Sequence, residues 1–238
     1  MKQPPAILER HGKITVVRDD LLEGGSKTRF LPYLIDGAKE VVFGGPFCGG
    51  APLALSVLGK QLGKRITLFY AARNQLHRRQ ILAQANGAKL IFVKPGYMTN
   101  VQAKARNYAA EQGALFLPLG FDVPQAEQPF VAFMEQTGRL LGWTPDEVWC
   151  AAGSGMLARC LGRAFRDSAI KAVAVGLASR HEAQSMPSNV ELVPCRWRFE
   201  QETRAMVSFP CCPNYDRKAW ELAFTHARGR ALFWNVLG

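Results

Sequence analysis

The chain has 238 residues, 48% of them hydrophobic and 21% charged, which describes a globular protein able to bury a sizeable core in one large domain or two small ones. No apolar run approaches membrane-span length, and the first residues, MKQPPAILER, hold no apolar signal region, so a cytoplasmic protein with no membrane partner is expected. Thirty Lys and Arg against nineteen Asp and Glu give a formal charge of +11, more than a small-molecule enzyme needs and a field that attracts phosphate-bearing partners, nucleic acid included. The basic residues form no block of five or six, so a solvated surface is the default reading and nucleic-acid contact the alternative. Six cysteines (Cys48, Cys150, Cys160, Cys195, Cys211 and Cys212) form no CxxC pair and lack histidines at zinc spacing, which fits reduced thiols and no metal.

Taken in chain order, the alternating run KITVVRDDLL reads as a strand and leads into Glu23-Gly24-Gly25-Ser26-Lys27-Thr28-Arg29. Short apolar runs then alternate with helical segments. Strands are predicted at 41–43, 66–70 and 90–93, with helices over 51–63, 75–86 and 100–112. The rhythm repeats with strands at 114–119, 147–152 and 171–176 and helices over 126–141 and 155–166. Gly63, Gly87 and Gly113 mark helix ends. After Gly176 the period fails across a proline-bearing stretch, and a helix over 216–227 and the strand ALFWNV close the chain. Such alternation predicts an α/β protein whose mostly parallel sheets carry helices on both faces.

Ligands bind outside the carboxyl ends of strands in open α/β sheets, and three glycine-bearing turns fall at such ends. They are Gly24-Gly25-Ser26-Lys27, the turn FGGPFCGGAP at 43–52, and Gly153-Ser154-Gly155, which runs from EVWCAA straight into a helix near Met156. A helix N-terminus preceded by glycines offers free amides and a favourable dipole to a phosphate. On spacing alone Lys27 reads as a solvated lysine, Tyr215 as a packed aromatic, and Asp216 or Asn214 as the cap of the last helix.

The run VVRDDLLEGGSKTRFLPYL resembles the cofactor-lysine segment of the fold type II pyridoxal-phosphate enzymes, in particular the 1-aminocyclopropane-1-carboxylate deaminase and D-cysteine desulfhydrase family. The 41–69 segment, the stretch 115–161 and the closing PNYDRKAWELAF…ALFWNVLG are similar to further landmarks in the family's order, so the resemblance covers nearly the whole chain. It implies two open, mostly parallel sheets, with residues 1–38 and 144–238 as a large cofactor-binding domain and 39–143 as a small one. It also implies pyridoxal 5'-phosphate as cofactor, held as a Schiff base by Lys27, which would then act as the proton-transfer base. Ser26 would hydrogen-bond near the cofactor, and the amides of Gly153, Ser154, Gly155 and Met156 would hold its phosphate. Tyr215 would serve as ring contact or acid/base, and Asp216 would keep the pyridine nitrogen protonated. Cys48, Gly49 and Gly50 fall on the substrate side. The expected activity is that of a lyase, deaminase or decarboxylase on a small-molecule amine or amino acid, in a homodimer.

Two departures separate this chain from the family pattern. Pro46-Phe47-Cys48-Gly49-Gly50 stands where the family has serine, asparagine and histidine, which removes side chains that hold the cofactor hydroxyl and the substrate carboxylate. The phosphate loop reads GSGML where a further glycine and a threonine are usual. The shorter chain and its positive charge support an alternative substrate, an amino-acyl group carried on nucleic acid. A non-catalytic binding protein on the same fold is the third reading.

Overall fold

The structure is a computed structural model, and it describes residues 3–121, 123–176 and 186–238. The chain divides into two compact units, Met1–Arg29 with Glu127–Gly238 and Phe30–Ala126, each built on its own sheet.

In the first unit, β1 (Leu8–His11), β2 (Ile14–Arg18), β7 (Glu147–Ala152), β8 (Ala169–Ala174), β9 (Val190–Val193) and β10 (Ala231–Asn235) form a six-stranded sheet in the order β1-β2-β10-β7-β8-β9. Every pairing is parallel except β1 with β2. The central strand β10, ALFWN, is buried at every position, the continuous apolar run expected of a parallel strand covered on both faces. Alternation along the strands divides the side chains. Trp149, Ala151, Val173 and Phe233 pack with Ala219, Trp220 and Ala223 of α7 (Asp216–His226), while α6 (Met156–Ala164) packs on β7 and β8. The edge strands β1 and β9 are short and half-exposed. Sequence periodicity marks neither of them, because four residues with polar members carry almost no period-2 signal. Residues 177–185, where the irregular stretch after Gly176 begins, lie outside the described residues.

The second unit holds β3 (Glu40–Gly44), β4 (Arg65–Ala71), β5 (Lys89–Val93) and β6 (Leu115–Leu117) in the parallel order β5-β4-β3-β6, after the short helix α1 (Leu31–Leu34). Helices α2 (Gly50–Leu62) and α3 (Arg78–Ala85) pack together, with α2 on β4, and Val101, Ala105 and Ala109 of α4 (Met98–Gln112) cover Val42 and Phe69. Helix α3 starts three residues later than its periodicity predicts, because His77 caps it. Its ring accepts from the Arg79 amide at 3.2 Å, and the Gln80 side chain accepts from the His77 amide at 2.9 Å. Histidine is not among the usual capping residues, so the signal is weak in the sequence. The remaining predicted strands and helices are present to within a few residues, including α5 (Pro124–Leu141). The fold class is therefore α/β with two mostly parallel sheets. Among the described residues no helix is long and apolar enough to cross a membrane.

Candidate cofactor and substrate site

In the first unit, Lys27 sits on a 3-10 turn, Gly25–Arg29, that follows β2. Gly25 has φ +74°, and a Cβ there would lie 2.3 Å from the carbonyl oxygen of Val236, so the turn presses directly on the end of β10. The Ser26 amide donates to that same carbonyl at 3.0 Å. The side chains on either side of Lys27 face inward. Ser26 donates from Oγ to Asp19 Oδ2 at 2.7 Å, and Arg29 donates to Asp19 Oδ1 from Nη2 at 2.6 Å. The indole of Trp234 donates to both Asp19 and Ser26 at 3.2 Å, and the Arg29 guanidinium lies 3.8 Å over the Phe133 ring. Ser26 is thus 2% exposed and its hydroxyl is committed to Asp19, so its visible task is to hold the turn. Lys27 itself is half-buried.

The glycine loop lies at the same edge of the sheet. Trp234 pairs with Cys150 in the β10–β7 register, and carrying that register two residues further brings Val236 opposite Ala152. The lysine turn rests on Val236 just past β10, and Gly153 follows directly on β7, so the two lie at the carboxyl ends of neighbouring strands. Gly155 takes φ +83° and is the N-cap of α6 with no side-chain cap. Helix geometry therefore leaves the amides of Met156 and the residues after it without intrahelical acceptors. Met156 is buried at the first helical position, and Ser154 is half-buried.

Tyr215 lies against this loop. Its hydroxyl donates to the Ala151 carbonyl at 3.3 Å, and a Cβ on Gly153 would come within 3.0 Å of it. Burial, and then the Asp216 carboxylate, push the phenol well above its ordinary value, so Tyr215 is a neutral proton donor across the physiological range. Asp216 is fully buried at the first position of α7, where the helix dipole favours its charge, and burial, followed by its field, raises the thiols of Cys150 and Cys211. The capping expectation is corrected here: α7 has no side-chain cap, and Asn214 accepts instead from the Cys212 thiol at 3.0 Å.

In the second unit, the turn after β3 carries Cys48, Gly49 and Gly50. Cys48 is 4% exposed and its carbonyl accepts from Arg79. Gly49 is the N-cap of α2, with its amide on the Pro46 carbonyl at 3.1 Å. All six cysteines are free thiols, and among the described residues no group of three or more potential ligands forms a metal site.

The donor set of the first unit suits pyridoxal phosphate in kind: an amine on a rigid turn, helix-start amides behind a glycine with positive φ, an aromatic ring over the loop and a buried carboxylate. Tyr215 sits against Gly153, at the start of the run of amides from Gly153 to Met156 that would face a phosphate. The Asp19–Arg29–Trp234 network that fixes the lysine turn has no sequence signature, since its members stand up to 215 residues apart.

No family model matches the chain, and no curated protein matches it in sequence. Solved structures do match in three dimensions. An ACC deaminase homologue superposes with a TM-score of 0.79 at 19% identity over 94% of this chain and 84% of its own. A hydrogen sulfide-producing enzyme from Fusobacterium nucleatum gives 0.72 at 12% identity over 98% and 95%. The processed form of threonine deaminase isoform 2 from Solanum lycopersicum gives 0.68 at 12% over 97% and 78%. The fold is that of the fold type II pyridoxal-phosphate enzymes, as the resemblance implies.

Proposed function

We propose that the protein is a pyridoxal-phosphate-dependent enzyme of the lyase or deaminase kind, acting on an amino-acid-like amine through Lys27. The observation that carries this reading is the placement of the Lys27 turn on the end of β10 one strand away from the Gly153–Gly155 loop, with Tyr215 seated on that loop. The fold neighbours, two of them named as deaminases or a deaminase homologue, support the general kind.

In this reading Lys27 would hold the cofactor covalently, the amides of Gly153, Ser154, Gly155 and Met156 would hold its phosphate, and Asp216 would supply the negative charge for its ring nitrogen. Bound there, pyridoxal phosphate supplies an electron sink for the substrate carbon. The chain's own residues do the rest. Lys27 Nζ moves a proton at that carbon, on a turn that the Asp19–Arg29 pair keeps from shifting. Tyr215, held neutral, supplies a ring face and a proton and cannot serve as a base at neutral pH. The buried charge of Asp216 would favour a protonated pyridine.

The test is the visible spectrum of the purified protein titrated with pyridoxal phosphate beside Lys27→Ala, followed by borohydride reduction and peptide mapping. A band present in the parent alone, with the reduced adduct mapped to Lys27, is expected. Identical spectra with no adduct would sink the proposal and leave the fold as a binding scaffold.

A further inference from the structure

The excess charge is weighted toward one part of the molecule. The second unit holds eleven Lys and Arg against four acidic residues (Asp36, Glu40, Glu111 and Asp122), while the first is nearer balance at nineteen against fifteen. Within the second unit, residues 41–110 contain ten Lys and Arg and no Asp or Glu at all. Of the two acids that flank this stretch, Glu40 is buried and occupied by Arg65 at 3.2 Å and by Thr67 at 2.7 Å. Nothing acidic interrupts the field over the stretch.

The fold gathers part of this charge at one edge. Strands β3, β4 and β5 are parallel, with Gly44 opposite Phe69 and Ala71 opposite Val93, so the segments after them emerge side by side. The Ala72 amide donates to the Val93 carbonyl at 2.8 Å, which sets Arg73 beside Lys94. The Arg73 guanidinium lies 3.3 Å from the centroid of the Phe47 ring, with the His77 ring at 5.5 Å on the same phenyl. Arg79, from the first turn of α3, reaches the Cys48 carbonyl of the same turn. Arg73, Arg78 and Lys94 are exposed and form no ion pair among the described residues, and Tyr97, three residues beyond Lys94, is 84% exposed.

We infer that this carboxyl-terminal edge of the second unit's sheet is a binding surface for single-stranded nucleic acid. Arg73, Arg78 and Lys94 take backbone phosphates, and Tyr97 and the Arg73 guanidinium plane take base faces. Exposed cations along an edge, with an exposed aromatic ring on the segment that follows one of them, match a repeating phosphate chain whose bases are accessible. One small phosphorylated metabolite would instead be met by convergent, buried donors. The inference does not rest on the Lys27 chemistry, so the Lys27→Ala protein serves as a second host for every measurement.

The test is fluorescence anisotropy with a labelled 20-nucleotide single strand at several salt concentrations. The parent and Lys27→Ala are expected to bind alike, with affinity falling linearly in log salt. The combined Arg73→Gln, Arg78→Gln and Lys94→Gln variant is expected to lose about tenfold or more in affinity, and to shed about 2 from the slope at roughly 0.7 per phosphate contact. Tyr97→Ala should weaken the single strand more than the matching duplex. A control with Lys60→Gln, Lys89→Gln and Lys104→Gln, three exposed lysines elsewhere in the unit, should stay within about threefold of the parent. Absent binding by the parent, an equal loss in the control, or displacement of the strand by phosphatidylserine vesicles would each overturn the inference.

Discussion

Arg29 and Asp19 form an ion pair of 2.6 Å with side chains 1% and 0% exposed, and the turn that ends in Arg29 carries Lys27 two residues earlier. Burying two charges costs several kcal/mol unless their remaining valences are filled, and here they are. Asp19 also accepts from Ser26 and Trp234, and Arg29 also donates to the Pro4 carbonyl. Removing one partner strands the other charge. Asp19→Ala is expected to lower stability by about 3 to 5 kcal/mol in denaturant unfolding. Lys27→Ala, which removes a half-buried side chain on the same turn and leaves the Asp19–Arg29 pair in place, should cost less than Asp19→Ala. If Asp19→Ala unfolds with the parent's midpoint, the pair does not anchor the turn.

The contrast between those two residues shows what the sequence carries and what it does not. The turn that carries Lys27 is legible because Gly24 and Gly25 announce a tight turn after a strand, while the role of the lysine itself comes from the resemblance alone. The central strands are legible because residues such as Ala231–Asn235 are apolar without a break. Asp19 is not legible. Its partners come from positions 26, 29 and 234, and only the parallel pairing of β10 with β2 brings them together. The seating of Tyr215 on Gly153 is hidden for the same reason, as two local patterns fix neither the register nor the approach between them. Asp216 misleads in the opposite direction, since an acidic residue at a helix start reads as a cap, whereas this one is buried inside the first turn.

Lys218 is a fully buried lysine, and its Nζ donates to the carbonyls of Arg198 and Phe199 at 2.8 and 3.1 Å. The Phe199 ring in turn packs where a Cβ on Gly176 would come within 3.1 Å, and Gly176 lies against Gly153. Hydrogen bonds to a charged group contribute about 1.5 to 3 kcal/mol, and Lys218→Met would leave both carbonyls without this donor. The variant is expected to lose about 2 to 4 kcal/mol and to be cut by trypsin at Arg196, Arg198 and Arg204 faster than the parent. Unchanged cleavage there would show that Lys218 does not tether the segment.

Alkaline pH should destabilise the protein. Burial raises the Tyr70 phenol above its ordinary 10.0, and burial followed by the Asp216 charge raises Tyr215 from 10.0 and Cys150 and Cys211 from 9.0. These groups stay protonated when folded while the unfolded chain releases their protons, so the unfolded state binds fewer protons and stability falls as pH rises. The loss begins near pH 9, at the unfolded thiol values, and each group contributes up to about 1.4 kcal/mol per pH unit until its folded form also ionises. Tyr70→Phe isolates one group, because the Tyr70 hydroxyl is buried with no hydrogen-bond partner among the described residues. The variant is expected to be at least as stable as the parent at pH 7 and to show a shallower decline above pH 10. A parallel decline would mean that Tyr70 ionises as readily folded as unfolded.

Gly25 ties the lysine turn to the sheet more tightly than its conformation alone requires. Gly12 and Gly25 both have positive φ, +63° and +74°, so alanine at either position carries the left-handed penalty of about 1 to 2 kcal/mol. They differ in what surrounds the added methyl. At Gly12 nothing lies within 4 Å, whereas at Gly25 the new Cβ would stand 2.3 Å from the Val236 carbonyl oxygen and 3.1 Å from Leu237 Cδ1. The first of these contacts is backbone, so relief requires the turn to lift off β10, and the Ser26 amide would lose its bond to the same carbonyl. Gly25→Ala is therefore expected to cost at least about 2 kcal/mol more than Gly12→Ala in matched denaturant unfolding. It should also abolish reductive trapping of pyridoxal phosphate on Lys27 under conditions where Gly12→Ala traps like the parent. Equal stability of the two variants would mean that the turn has room to move, and a trapped adduct in Gly25→Ala would mean that the lysine reaches its position without the contact to Val236.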